Sequence, residues 1–135
     1  MKRIISLLLC LILSFSITGC GKKEVKGEVK DYNIVEKEDV STSKAILFNY
    51  RVSVPDDNKY SKEDFKNIAT DVKEKSDPFN AITIFFYKEK EINDKNFDGF
   101  SKIGNIEFSP WGLWNRAEDI NTGDLKNIKL VDKLK

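Results

Sequence analysis

Histidine is absent from this 135-residue chain, and its two cysteines, Cys10 and Cys20, both fall within the first twenty residues. Without histidine there is no Ser-His-Asp or Cys-His nucleophilic site, and no zinc site built on imidazole. Without cysteine beyond position 20, the remainder holds no disulfide, no thiolate nucleophile and no cysteine-ligated metal. An excess of charge of one sign is lacking too: 23 Lys and Arg stand against 22 Asp and Glu. That balance gives no electrostatic case for nucleic-acid binding. Internal repeats and low-complexity tracts are missing as well. An enzyme of this composition would have to run on carboxylates, lysine or tyrosine, as some glycosidases do. No carboxylate pair stands out among so many interspersed charges, so no catalytic residue is assigned.

One long apolar run is present. Residues 4–17 follow Met1, Lys2 and Arg3 and are interrupted in polarity only by Ser6, Ser14 and Ser16. As a helix these fourteen residues would extend about 21 Å, short of the hydrocarbon core of about 30 Å. A basic start and a short apolar stretch are the pattern of a secretory signal peptide. The run ends in Ile17-Thr18-Gly19-Cys20. This resembles the lipobox of bacterial lipoproteins: an aliphatic residue, a small one, Gly or Ala, then the cysteine that is lipidated. The resemblance covers the first twenty residues. It implies removal of residues 1–19, lipidation of Cys20 by a diacylglyceryl group, and a domain anchored on the extracytoplasmic side of the cell membrane. Two acyl chains hold a protein stably where one holds it marginally. Apart from that covalent lipid, no cofactor is expected. Loss of Lys2 and Arg3 leaves 21 basic against 22 acidic residues, a net charge near −1.

Residues 20–31 are polar apart from two valines and read as a tether; residues 32–135 read as a single α+β domain. Residues 32–40 alternate weakly and suggest an edge strand. Residues 44–54 are clearer, with Ile46, Phe48, Tyr50, Val52 and Val54 on one side and Asn49, Arg51 and Ser53 on the other. A helix is predicted over 62–75. Ser61 and Asp64 form a variant capping box, Tyr60 and Phe65 a hydrophobic staple, and Phe65, Ile68, Ala69 and Val72 one apolar stripe. Asp77-Pro78 ends it. Residues 81–88, with large side chains on both faces, suggest a central strand, and residues 102–109 a fourth strand beyond a hairpin loop. In the C-terminal stretch, Leu125, Ile128, Val131 and Leu134 recur every three residues as in a helix, while 127–131 reads equally as a short strand. The expected order is β-β-α-β-β, a small, mostly antiparallel sheet of four to five strands with one amphipathic helix on one face. Composition and element order resemble those of small α+β lipoprotein domains without assigned function.

Three places carry candidate chemistry. Asp94, Asn96, Asp98 and Gly99 match the opening of a calcium loop, although its twelfth position falls on Asn105 where a bidentate Glu is expected. The same residues do ordinary turn work in a hairpin, and no metal is assigned. Trp111, Trp114 and Arg116 are candidates for an aromatic contact platform, since Trp and Arg are enriched at binding hot spots. Their other reading is core capping, and a division of the two tryptophans between core and surface joins both. Arg51, one of two arginines beyond the signal segment, and Tyr87 complete the candidate binding residues. The expected role is a non-enzymatic binding or adaptor domain. Its partners would be the membrane through the lipid, and an envelope protein or wall polymer. Alternatives are a substrate-capturing accessory of a transporter or wall enzyme, and a carboxylate-based hydrolase.

Overall fold

The capping box written at Ser61 and Asp64 closes as read. In the computed structural model, which describes residues 27–92 and 103–135, the Ser61 hydroxyl accepts from the Asp64 N–H at 3.1 Å, and the Asp64 carboxylate accepts from the Ser61 N–H at 2.7 Å. The staple is present too, with the Tyr60 and Phe65 rings 5.7 Å apart. Helix α1 (Lys62–Lys75) thus starts where its orphan N–H groups are satisfied, and stops ahead of Pro78. Its buried stripe is Phe65, Ile68, Ala69, Asp71 and Val72.

Five strands form one sheet in sequential order: β1 (Asn33–Asp39), β2 (Leu47–Val54), β3 (Ala81–Lys88), β4 (Gly104–Pro110) and β5 (Ile128–Leu134). β2 and β3 run parallel, a pairing that needs a crossover, and α1 supplies it. All other neighbours are antiparallel. The architecture is therefore α+β with a mixed sheet in the order β-β-α-β-β. Even-numbered residues of β2, β3 and β4 face α1. Tyr50, Ile84 and Ile106 lie in one cross-strand row, with Val52 and Phe86 beside them. Val52, Ile84, Phe86 and Ile106 have no exposed surface. Phe65 of the helix meets Phe86 at 4.9 Å between ring centroids.

The three-residue recurrence at the C-terminus belongs to a strand. β5 is gripped on both of its faces. Ile128 and Leu134 pack on the helix-side core, while Val131, paired with Glu107 on the other face, lies under the turn at Gly112. Half-burial at both ends and the middle of a seven-residue strand reproduces helical spacing.

Residues 27–31, read as tether, lie against α1. Val29 and Tyr32 pack on the core. Lys30 reaches Asp64 at 2.9 Å and the Lys59 carbonyl at 2.6 Å, and the Tyr60 hydroxyl donates to the Asp31 carbonyl at 2.6 Å. Tyr32 donates to Asp71, which also pairs with Lys75. Burial and this bond to a carboxylate raise the Tyr32 pKa. Cys20 and the segment with Asp94, Asn96 and Asp98 lie outside the described residues.

Candidate functional site

The helix-free face of the sheet carries the odd-numbered residues of β2, β3 and β4, and at one end it is covered by chain that follows β4. The 3-10 turn Trp114–Asp119 packs there, with Ala117 buried among Ala45, Leu47 and Ala81, and Trp114 partly buried against the same cluster.

Asn80 fixes this cover. It immediately precedes β3 and is completely buried. Its amide nitrogen donates to the carbonyls of Ala117 and Ile120, both at 2.9 Å. Its side-chain oxygen accepts from the Ile46 N–H at 2.9 Å and the Thr122 hydroxyl at 2.8 Å. A buried amide with four partners ties the start of β2 to the segment after β4. Sequence reading passed over Asn80 because an asparagine between Pro78 and a strand has the signature of a turn residue.

Between β4 and the 3-10 turn the chain reverses tightly. The N–H of Gly112 donates to the Ser109 carbonyl at 3.0 Å, and that of Leu113 to the Pro110 carbonyl at 2.9 Å. Pro110 takes the second turn position and Trp111 the third, where φ is +54°. Such turns ordinarily place glycine or asparagine there. The left-handed backbone costs an L-residue about 1–2 kcal/mol, so this tryptophan is held against its own preference. It is held by an N–H bond to the Asn127 carbonyl at 2.7 Å and by Arg116, whose guanidinium lies 4.0 Å from the ring centroid. Asp119 steadies Arg116 at 2.8 Å. Leu113, between the tryptophans, is 49 % exposed, and Leu125, on the adjoining turn, 51 %. Leu125 also borders a mostly apolar groove of about 340 Å³ with Pro78, Phe79 and Gly123.

The structure thus brings Trp111 and Arg116 together and sends Trp114 toward the core. No family model, curated protein or solved structure matches this chain. Its function must be read from its own geometry.

Arg51 and Tyr87 share the helix-free face, on adjoining strands, but not the tryptophan end. From Leu47 to Arg51 the strand advances about 13 Å. Arg51 forms an ion pair with Glu36 and hydrogen-bonds Tyr87. Burial alone would lower the arginine's pKa; the Glu36 carboxylate and the Tyr87 hydroxyl together outweigh it and the net shift is upward. Tyr87 is only 6 % exposed. The pair therefore braces β1 and β3 across β2. Glu107, on the same face and 5 % exposed, accepts from the Ser109 hydroxyl at 2.7 Å and from Lys133 at 2.9 Å. Among the described residues, no group of three or more His, Cys, Asp or Glu is arranged to hold a metal, and no helix is long and apolar enough to cross a membrane.

Proposed function

We propose that this chain is a lipid-anchored, extracytoplasmic lipoprotein whose α+β domain is a non-enzymatic binding or adaptor module. Its contact surface is the Trp111–Arg116 segment, since Ser53, Thr83, Tyr87 and Glu107 on the helix-free face are buried. Its partner there is an envelope component, protein or wall polymer. The observation that carries this reading is Trp111 itself. A bulky residue kept in left-handed backbone, beside an exposed leucine and under a steadied arginine, is poor economy for a core filler. Strain of this kind persists where the surroundings over-determine it, and it gathers at functional sites.

The face offers little to a carboxylate hydrolase. Glu107 on β4 lies three strand spacings or about 14 Å from Glu36 and Glu38 on β1, beyond the roughly 5–9.5 Å that glycosidase pairs require. Glu36 and Glu38, about 7 Å apart along one strand, are each drawn to a β2 side chain, Arg51 and Asn49. Glu36, Glu38 and Glu107 all have partners within the sheet. An accessory that captures a small substrate would draw its support from the mostly apolar groove beside Leu125.

The anchor is tested by mass spectrometry of the chain purified from membranes, with Cys20→Ala beside it. A diacylglyceryl mass on the N-terminal fragment, lost in the variant, is expected; an unmodified Cys20 would overturn the anchor. In-cell crosslinking with wild type and Trp111→Ala tests the contact surface. A partner recovered with wild type and lost with a variant of unchanged circular dichroism is expected. Equal recovery of that partner would remove Trp111 from the site.

A further inference from the structure

We propose that the turn carrying Trp111 and Leu113, with Leu125 on the turn beside it, is a lipid-contacting tip that seats in the interfacial layer of the bilayer holding the anchor. This rests on the reading above that Trp111 belongs to a contact surface, and it names lipid as what this part of the surface meets.

Four observations converge. Leu113 and Leu125 are about half exposed, and their turns are joined by the bond from the Trp111 N–H to the Asn127 carbonyl at 2.7 Å. The apolar tip is thus a fixed feature of the fold. Tryptophan, apolar in body with one N–H donor, concentrates at membrane–water interfaces. Trp111 brings with it Arg116, a planar donor suited to phosphate.

The charges around the tip balance. Arg116 is paired with Asp119, and Lys44 lies 3.9 Å from Glu118. Apolar insertion, rather than attraction to anionic lipid, therefore drives the contact.

The tether leaves the tip within reach of the bilayer. Gly27, the first described residue, rests against Asn67 on α1. Six residues, 21–26, lie between it and Cys20, and the seven steps reach at most about 23–25 Å. From Asn67 to Lys75 the helix advances about 12 Å, toward the end of the sheet where β3 begins and β4 finishes. The tip lies at that end, and the tether is long enough to allow a bilayer to touch it.

The chain contains two tryptophans, Trp111 and Trp114, so its indole fluorescence reports on this segment alone. The lipidated protein is reconstituted into phosphatidylcholine–phosphatidylglycerol vesicles, with or without bromines on the acyl chains near the headgroup. Wild type, Trp114→Phe (which isolates Trp111) and Leu113→Glu are compared, with folding followed by circular dichroism. The proposal expects bromolipid to quench wild type and Trp114→Phe, little change when salt is raised, and at least a halving of the quenching in folded Leu113→Glu. Quenching by aqueous acrylamide but not by bromolipid would overturn the lipid contact while leaving Trp111 as a surface for a protein partner or a second copy. Protection from both quenchers in protein whose anchor is confirmed would overturn the contact reading as well. Bromolipid quenching equal in wild type and Leu113→Glu would also sink the proposal, because proximity would then come from the tether alone.

Discussion

The two faces of the sheet solve burial by different means. Under α1, Val52, Ile84, Phe86 and Ile106 are sealed by apolar packing. On the other face Ser53, Thr83, Glu107 and Ser109 are buried as well, yet they are polar. Among the described residues no buried side-chain nitrogen or oxygen lacks a hydrogen-bond partner. Cross-strand pairs and Asn80 accomplish there what methyl groups accomplish beneath the helix. Apolar packing is non-directional and sets overall stability. Hydrogen-bonded polar burial is directional, and it places one particular segment, the tryptophan turn, at one end of the face.

Substitution should separate the faces, and the largest effect belongs to the helix side. Phe86→Ala is expected to cost about 3–5 kcal/mol, while Asn49→Ala on the other face, a half-exposed position, should stay within about 0.5 kcal/mol. Urea unfolding of both variants checks this, and equal losses would erase the distinction. Asn80→Ala comes next. Its removal strips the Ala117 and Ile120 carbonyls and the Ile46 N–H of their partner. At about 1–3 kcal/mol for each buried group left unpaired, a loss of at least about 2 kcal/mol is expected, with amide exchange rising first across 114–122. A loss spread evenly over the whole domain would show that Asn80 does not hold the cover in place.

A smaller effect is expected at the helix start. Ser61→Ala should cost about 1 kcal/mol. The Asp64 carboxyl is held below the usual carboxylate range, first by the Ser61 N–H and then by Lys30. A group whose pKa is lower in the folded than in the unfolded chain contributes stability above its unfolded value. That contribution fades as pH falls through the folded one. Wild type should therefore lose this contribution below about pH 4, and Asp64→Asn should lose less there. An identical acid limb in both proteins would contradict the pairing.

Much of the helix-covered half is legible in the sequence. Single-face alternation in 44–54, the cap at Ser61 and the stop before Pro78 are local signals, and α1 occupies Lys62–Lys75 as its capping pattern requires. β5 is only half legible, because a strand held on both faces at three points imitates a helix, although 127–131 reads equally as a short strand. The docking of residues 27–31 escapes as well, since only Val29 is apolar and the rest is fastened by Lys30 and backbone groups. At the candidate site both tryptophans are partly buried, Trp114 against the Ala117 cluster and Trp111 beside Arg116. The sign of φ at Trp111 and the four bonds of Asn80 are not legible, since both depend on contacts distant in sequence.

Trp111 decides whether the turn is a site or a piece of core. In Trp111→Gly the strain of about 1–2 kcal/mol disappears, while a cation–π contact of about 0.5–1 kcal/mol and some packing are lost. Urea unfolding of the lipidated chain carrying Trp111→Gly, set beside Trp114→Ala, is therefore the measurement to make. Trp111→Gly is expected to lie within about 1 kcal/mol of wild type, while Trp114→Ala, which empties part of a core cluster, is expected to lose about 2–3 kcal/mol. A loss of about 3 kcal/mol or more in Trp111→Gly would contradict this expectation and return that tryptophan to the core.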